Sequence, residues 1–234
     1  SMFTLLEGSK TLSFPTEYIS LPETIEIMSE NNHPVHAFFY PPTNPDFRAP
    51  DNTLPPLIVF THGGPTSATT TGLNLNVQFW TSRGFSVLDV NYGGSSGYGR
   101  EYRRSLNLKW GIVDVDDCIS AASHIVKRGN ADPNRLAIRG GSAGGFTTLA
   151  SLTFRDFFTA GTSQYGVTDL TGLANDTHKF ESRYLDNLVG PFPEESKTYD
   201  ERSPINSADQ ITCPVLILQG LEDAIVPPNQ AERM

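Results

Sequence analysis

Residues 135–152 read RLAIRGGSAGGFTTLASL, and this stretch decides the fold. The apolar run at 136–138 is typical of a short buried strand, whereas Phe146, Leu149 and Ala150 recur at helical spacing. Between them stands the pattern G-x-S-x-G, which in a strand–turn–helix context is typical of a nucleophile elbow. The stretch therefore predicts a serine whose hydroxyl is raised above the edge of a sheet.

The serine of this pattern is Ser142. The chain must reverse so sharply there that we expect a sparsely populated backbone conformation, which costs about 1–3 kcal/mol. Gly140 and Gly144 flank it, because a side chain at either position would collide with the neighbouring strand or helix. The turn also aims the Ala143 N–H toward the same space, at a helix start that favours negative charge. The alternatives are a plain tight turn and a phosphate cradle, although the sequence frames of phosphate-binding loops are absent.

The composition bounds the class of protein. The chain has 234 residues, 38% hydrophobic and 18% charged, as in one globular domain. Its net charge is −9 and it has no basic run, so neither nucleic acid nor a membrane surface is expected as a partner. No signal peptide, no apolar stretch of about 18 residues and no Cys/His cluster with metal-ligand spacing is found. Cys118 and Cys213 stand in apolar segments and are interpreted as buried free thiols of a reducing compartment, with one disulfide as the alternative. We therefore expect a cytoplasmic protein without metal or cofactor.

Apolar strand patterns alternate with helical ones along the chain. This alternation predicts an α/β fold, with a mostly parallel, doubly wound sheet and an antiparallel N-terminal hairpin at one edge. The predicted strands are 24–28, 35–40, 57–60, 85–90, 136–138, 158–165 and 213–219, and the predicted helices include 77–83, 114–128 and short ones around 180–188. Residues 1–20 show no clear period and are interpreted as a leader or linker.

Ligands of such a sheet bind beyond the carboxyl ends of its strands, and three predicted loops leave those ends. In the first loop, the Gly63-Gly64 pair lets the backbone approach a reacting carbonyl, and we expect the Gly64 N–H to hold an oxyanion together with that of Ala143. His62 is expected to shape this loop. In the last loop, Asp223 is the expected orienting carboxylate, with Glu222 as its rival, because the acid follows the serine in this fold.

A nucleophilic serine needs a base, and the same order puts the histidine last. All five histidines precede Asp223, and His178 is the only alternative that stands in a mobile-looking segment. The simplest interpretation is a chain that lacks the base together with the last strand and helix of the sheet.

Five segments together resemble the prolyl oligopeptidase family of serine peptidases, in particular its acylaminoacyl-peptidase and dipeptidyl-aminopeptidase-like branch. They are HGGP from residue 62, NYGGSSGYGREYR from 91, KWGIVDVDDC from 109, GGSAGGFTTLASLTF from 140 and QGLEDAIVPPNQ from 219. The resemblance implies an α/β-hydrolase catalytic domain over 21–234, with Ser142 as nucleophile, Asp223 as acid, and oxyanion donors at Gly64 and Ala143. It also implies that the substrates are short peptides.

The resemblance further implies features outside this sequence. Family members carry an N-terminal β-propeller, so residues 1–20 are expected to include a tag scar and the remnant of that junction. The triad histidine of the family lies beyond the acid, so this chain is expected to be an inactive fragment of an active peptidase. By the same comparison, Tyr165, Val167 and Phe180 are expected to wall the side-chain pocket.

Two other functions are consistent with the sequence. One is a carboxylesterase on the same fold, although Pro65 stands where many such enzymes carry a third glycine. The other is a non-catalytic hydrolase-fold binding module, for which the missing histidine would be genuine. In each case an unfinished sheet exposes an edge, so a homo-oligomer is possible.

Overall fold

A computed structural model of the chain describes residues 14–29, 32–176 and 183–234. Its seven strands form one sheet with the order β1-β2-β4-β3-β5-β6-β7. The strands are β1 (Glu23–Met28), β2 (Pro34–Tyr40), β3 (Leu57–Thr61), β4 (Ser86–Asn91), β5 (Leu136–Gly141), β6 (Ala160–Gln164) and β7 (Val215–Leu218). Each strand coincides with a predicted one, so these predictions are confirmed.

The direction of the strands brings the predicted functional loops to one edge. Strand β3 runs parallel to β4 and β5, and β5, β6 and β7 are also mutually parallel. Only β2 is antiparallel to its neighbours β1 and β4, which confirms the predicted hairpin at one side. The carboxyl ends of β3, β5 and β7 therefore lie along the same edge of the sheet.

Helices cover both faces of the sheet. They are α1 (Leu75–Thr81), α2 (Arg100–Arg104), α3 (Val113–Lys127), α4 (Ala143–Phe154), α5 (Leu170–Asp176), α6 (Tyr184–Leu188), α7 (Ser196–Arg202) and α8 (Asn229–Arg233). Within the described ranges, none of them is both long and apolar enough to cross a membrane. The strand and helix pattern confirms the α/β class.

The core lies mainly on the face of the sheet that α3 covers. Cys118, Ala122 and Ile125 of α3 are fully buried in one cluster with the sheet residues Val59 and Ile138. Acidic residues begin this helix and a lysine ends it, in accord with the helix dipole. Burying each large aliphatic side chain contributes about 1.5–3 kcal/mol, so this cluster fixes α3 beneath the central strands.

Candidate active site

Ser142 lies between β5 and α4 in a strained conformation, with φ 55° and ψ −122°. Its own N–H donates to the carbonyl of Gln164 at 3.0 Å, and its carbonyl accepts from the N–H of Phe146 at 3.1 Å. The strand–turn–helix context predicted for this serine is therefore confirmed. Because the backbone is bonded on both sides, the strain is held by neighbouring elements.

Close contacts with neighbouring atoms leave no space for a side chain at Gly140 or Gly144, the two glycines that flank Ser142. A Cβ on Gly140 would overlap the Thr61 hydroxyl, and a Cβ on Gly144 would overlap the Thr61 carbonyl oxygen and lie 2.8 Å from that of His62. Both obstacles belong to the end of β3 and the loop after it. The glycines thus let α4 begin directly against β3, which confirms the steric reason inferred from the sequence.

The loop after β3 brings backbone amides to Ser142. A Cβ built on Gly63 would lie 3.7 Å from the Cβ of Ser142, so this loop passes directly beside the serine. Gly64 follows with φ 126°, a conformation that glycine adopts readily. In the part of the chain that the structure describes, neither the Gly64 N–H nor the Ala143 N–H has a hydrogen-bond acceptor.

His62 holds this loop through its side chain. Its Nδ1 lies 2.8 Å from the carbonyl oxygen of Gly63, which can only accept, so Nδ1 carries the proton. Burial lowers the pKa of His62 and favours the neutral ring, whose Nε2 faces the Ser95 hydroxyl at 2.8 Å. The ring of Tyr92 stacks on the imidazole, and its hydroxyl donates to the His62 carbonyl at 2.7 Å.

This contact sets the direction of one amide. A trans peptide places its carbonyl and its N–H on opposite sides. Because the Gly63 carbonyl points to the imidazole of His62, the Gly64 N–H of the same peptide points away from that ring. The expectation that His62 shapes the loop rather than acts as a base agrees with this geometry.

Two buried aspartates of α3 anchor the surroundings of the site, a role that no local sequence pattern predicts. Asp117 accepts from the Gly93 N–H at 2.7 Å and so fixes the loop that carries Tyr92. Asp114 accepts from the Thr147 hydroxyl of α4 at 2.6 Å. The acidic start of α3, which accords with the helix dipole, thus also holds the two elements beside Ser142 in place.

The loop after β7 presents Asp223. One carboxylate oxygen, Oδ1, accepts from the N–H groups of Ile225 and Val226 at 2.9 and 3.0 Å. Gln219 closes the base of the loop by donating to the Val226 carbonyl at 2.9 Å. The side chain is therefore held by one oxygen, which leaves Oδ2 to orient a further group. The rival, Glu222, is exposed.

The loops meet at a pocket beside Ser142 of about 70 Å³, which we call the Ser142 pocket. Its lining is mainly apolar and consists of Gly64, Trp110, Ser142, Ala143, Val167, Leu173, Tyr184, Leu185, Ile225 and Val226. Ser142, Gly64 and the loop of Asp223 are thus brought together. Trp110, Tyr184 and Leu185 are not among the residues expected to wall the pocket, although the family resemblance covers Trp110 and places the segment that ends at Tyr184 at this pocket. They come from loops and short helices without a sequence pattern of their own.

The three residues expected to wall this pocket have different positions. Val167 is buried and lines it. Tyr165 packs instead over Gly141, where a Cβ would lie 2.8 Å from its hydroxyl, and it is not among the lining residues described. Phe180, like His178, lies outside the described residues.

Histidines in the described part of the chain are occupied elsewhere. His33 lies 2.9 Å from Asp117, His36 stacks on Tyr98, and His124 belongs to α3. Neither these three nor His62 lines the Ser142 pocket. Among the described residues, no group of three or more histidine, cysteine or acidic side chains could hold a metal ion.

A parallel sheet with a serine elbow after its central strand and an acidic loop after a later strand is the arrangement of the α/β-hydrolase fold. Known families point to the same class. The model of the prolyl oligopeptidase family, peptidase family S9, matches residues 71–234, and the chain belongs to this family.

Individual relatives agree with this membership. The chain is 32% identical over 218 residues to dipeptidyl aminopeptidase BIII of Pseudoxanthomonas mexicana. This match covers 90% of this chain and 32% of that protein. It is 29% identical over 235 residues to the acylamino-acid-releasing enzyme of Arabidopsis thaliana, covering 95% of this chain and 30% of that enzyme. The chain thus spans about a third of the length of these curated relatives.

Among solved structures, a puromycin-hydrolyzing peptidase of Mycobacterium tuberculosis superposes with a TM-score of 0.92 and 54% sequence identity. The match covers 94% of this chain and 33% of that one. Its extent places the described sheet, elbow and loops within one α/β-hydrolase framework.

Proposed function

We propose that this chain supplies the nucleophile, the oxyanion donors and the orienting carboxylate of a serine peptidase that cleaves short peptides. The observation that carries the proposal is the meeting of Ser142, Gly64 and the loop of Asp223 around one pocket. Membership of the prolyl oligopeptidase family supports it.

The chemistry follows from these positions. Ser142 Oγ attacks the scissile carbonyl carbon while a base takes the hydroxyl proton, and the N–H groups of Gly64 and Ala143 donate to the resulting oxyanion. The base passes the proton to the leaving amine, the C–N bond breaks, and the acyl group remains as an ester on Ser142. Water then gives a proton to the same base and attacks the ester carbonyl carbon. The C–O bond to Ser142 breaks, Oγ takes the proton back from the base, and the acyl group leaves as the carboxylic acid.

We propose that these 234 residues do not supply the base. Among the described histidines, none lines the Ser142 pocket, and within the described ranges no donor reaches Oδ2 of Asp223, so this oxygen can accept from an imidazole. Loss of a triad base lowers kcat by about a millionfold, so these residues alone are expected to be nearly inert.

The lining of the Ser142 pocket indicates which substrate side chain the site prefers. Its lining of Trp110, Val167 and Leu185 favours an apolar side chain on the acyl side of the scissile bond. Puromycin, which the neighbour from Mycobacterium tuberculosis is named for hydrolysing, is the first compound to test beside aminoacyl p-nitroanilides.

Imidazole added to the solution tests the proposal on this chain as it stands. We expect slow hydrolysis of an apolar aminoacyl p-nitroanilide that rises with imidazole concentration, because the free base occupies the place beside Asp223. Ser142→Ala abolishes this rise, whereas Ser82→Ala, at a surface serine after α1, leaves it unchanged. An equal imidazole effect in Ser142→Ala would overturn the role of Ser142.

The same assay separates the peptidase from the rival esterase. A peptidase cleaves the nitroanilide and the matching p-nitrophenyl ester, and both rates depend on Ser142. An esterase raises only the rate of ester cleavage above that of imidazole alone, and a binding module raises neither rate.

We propose a cytoplasmic location, supported by the free thiols of Cys118 and Cys213. A homo-oligomer is supported by the outer edge of β7, where Leu216 and Leu218 are 54% and 44% exposed.

A further inference from the structure

Tyr184, the first residue of α6, contacts both the Ser142 pocket and the loop after β3. Its ring lines the pocket. Its hydroxyl lies 3.1 Å from the carbonyl oxygen of Gly64 and 3.0 Å from the hydroxyl of Thr66. Because a carbonyl can only accept, Tyr184 donates to Gly64 and accepts from Thr66. One side chain thus joins the substrate pocket to the residue that offers the oxyanion donor.

The two carbonyls on either side of the Gly64 Cα are held by different side chains. The Gly63 carbonyl is bonded to His62 at 2.8 Å, and the Gly64 carbonyl is bonded to Tyr184. The first bond fixes the peptide plane that contains the Gly64 N–H. The second fixes the plane that follows, so that Gly64, despite the freedom of a glycine at φ 126°, has little room to turn.

The two side chains that hold Gly64, those of His62 and Tyr184, have different surroundings. His62 is stacked on the buried ring of Tyr92 and bonded to the buried Ser95, so this side of the loop is built into the fold. Tyr184 is only partly buried and faces the pocket, so its packing is completed by whatever fills that pocket.

We propose that Tyr184 is a positioning residue that couples the filling of the Ser142 pocket to the placement of the Gly64 N–H. An apolar substrate side chain packs against the ring and holds the hydroxyl on the Gly64 carbonyl. A glycine at the same substrate position leaves the ring without this contact. The inference rests on the proposed function, because it assigns Gly64 as an oxyanion donor.

Tyr184→Phe removes the hydroxyl and keeps the ring that walls the pocket. The matched control is Tyr199→Phe, which also removes a phenol-to-carbonyl hydrogen bond, from Tyr199 to Gly190 at 2.8 Å, away from the loop after β3. The N–H of Ser96 donates to the carbonyl of Ser67 in this loop at 2.7 Å, so its hydrogen exchange reports on the loop. We expect this amide to exchange about three- to tenfold faster in Tyr184→Phe, as the loss of one hydrogen bond implies, and at an unchanged rate in the control. Unchanged exchange in Tyr184→Phe overturns the inference.

Two soluble probes test the coupling without catalysis. N-acetyl-phenylalaninamide carries a side chain for the pocket, and N-acetyl-glycinamide does not. We expect the first to slow exchange of the Ser96 amide in the unchanged chain and to lose this effect in Tyr184→Phe, whereas the second has no effect. Equal protection by both probes, or protection by neither, contradicts the coupling.

A kinetic measurement distinguishes this inference from the proposed function. In the imidazole-supplemented chain, we expect Tyr184→Phe to lower kcat for phenylalanyl p-nitroanilide about tenfold, to change KM little, and to lower kcat for the glycyl substrate much less. If Ser142→Ala abolishes hydrolysis but Tyr184→Phe lowers both kcat values equally, the coupling fails and the peptidase stands. If hydrolysis is independent of Ser142, the peptidase itself fails, while the exchange experiment still reports on Tyr184.

Discussion

Ser142 shows how a single residue can be held in a conformation that it would not adopt alone. Its φ of 55° is stable only because β6 bonds its N–H and α4 bonds its carbonyl. The approach of α4 to β3 in turn depends on a glycine at 144, whose missing side chain leaves space for backbone oxygens. The strain at the serine is therefore maintained by a contact two residues away.

Gly144→Ala tests this dependence. The added methyl group meets the carbonyl oxygens of Thr61 and His62, and backbone atoms of a central strand cannot move aside cheaply. We expect a loss of about 1–3 kcal/mol in the free energy of unfolding, or roughly 2–12 °C in Tm, measured by thermal unfolding. Gly72→Ala is the control, since its Cβ would meet only the Thr70 hydroxyl, at 3.6 Å; a Tm loss as large there would contradict the argument.

Two variants of His62 test whether this side chain sets the orientation of the Gly64 N–H. His62→Phe keeps a ring to stack on Tyr92 but removes the donor to Gly63, whereas His62→Asn places an amide N–H near the position of Nδ1. We expect kcat in the imidazole-supplemented assay to fall at least about tenfold in the phenylalanine variant and much less in the asparagine variant, because one oxyanion donor is worth about 10²–10³ in rate. Equal kcat losses in the two variants would show that the ring, not the hydrogen bond, matters.

At the scale of the elements, the features that the sequence predicts are those with local causes. The elbow, the strands and α3 follow from apolar periodicity, glycines and helix-end charges in adjacent residues, and the structure has them within a few positions. The walls of the Ser142 pocket have no local cause. Trp110 precedes a glycine, Tyr184 begins a five-residue helix, and only the packing of α4, α5 and α6 brings them to Ser142.

The placement of Tyr165 illustrates the same limit. It follows β6 at φ 39°, where its N–H donates to Leu218 and its ring covers Gly141 rather than the pocket. Sequence position puts it close to Val167, but of the two only Val167 is among the residues that line the pocket. Neighbours in the sequence therefore need not share a site.

The outer edge of β7 predicts that the chain associates with itself. Among the described strands, β7 pairs with β6 alone, and Leu216 and Leu218 project from the same face of the sheet. We expect the chain to self-associate with rising concentration in light scattering, and the double variant Leu216→Lys/Leu218→Lys to reduce this association because charges block edge-to-edge pairing. Leu73→Lys/Leu75→Lys, at leucines 50% and 58% exposed elsewhere, is the control; an equal reduction there would exclude β7 as the contact.

At the scale of the whole molecule, buried carboxyl groups tie distant segments together. Asp117 is bonded to His33, which precedes β2, and to Gly93, which follows β4. Burial raises the pKa of Asp117 to about 8 and lowers the pKa of His33, so burial favours the neutral form of both groups in the hydrogen bond that joins them. Burial also raises the pKa values of Asp89 and Asp114 to about 6.

These pKa shifts determine whether the stability of the folded chain rises or falls as the pH increases. The unfolded carboxyl titrates near pH 4, so between about pH 4 and 8 the folded chain binds more protons than the unfolded one, and its stability falls as the pH rises. The lowered histidine pKa values act in the opposite sense, but only below about pH 6.5, where the unfolded histidines become protonated. Above neutral pH, Asp117 therefore dominates.

Asp117→Asn tests this conclusion. The side-chain amide of the asparagine can still accept from Gly93 and donate to His33, but it does not titrate. We expect the Tm of the unchanged chain to fall by up to about 3–6 °C per pH unit between pH 7 and 8, since one proton is worth at most about 1.4 kcal/mol per unit, and this slope to flatten in Asp117→Asn. Asp132→Asn is the control: the Asn134 N–H and Arg135 lower the pKa of Asp132, so it is ionised in both states throughout this range and its replacement leaves the slope in place. A slope that persists in Asp117→Asn would mean that the fold holds this carboxylate charged, and the buried link between the hairpin, the loop after β4 and α3 would then have to be an ion pair.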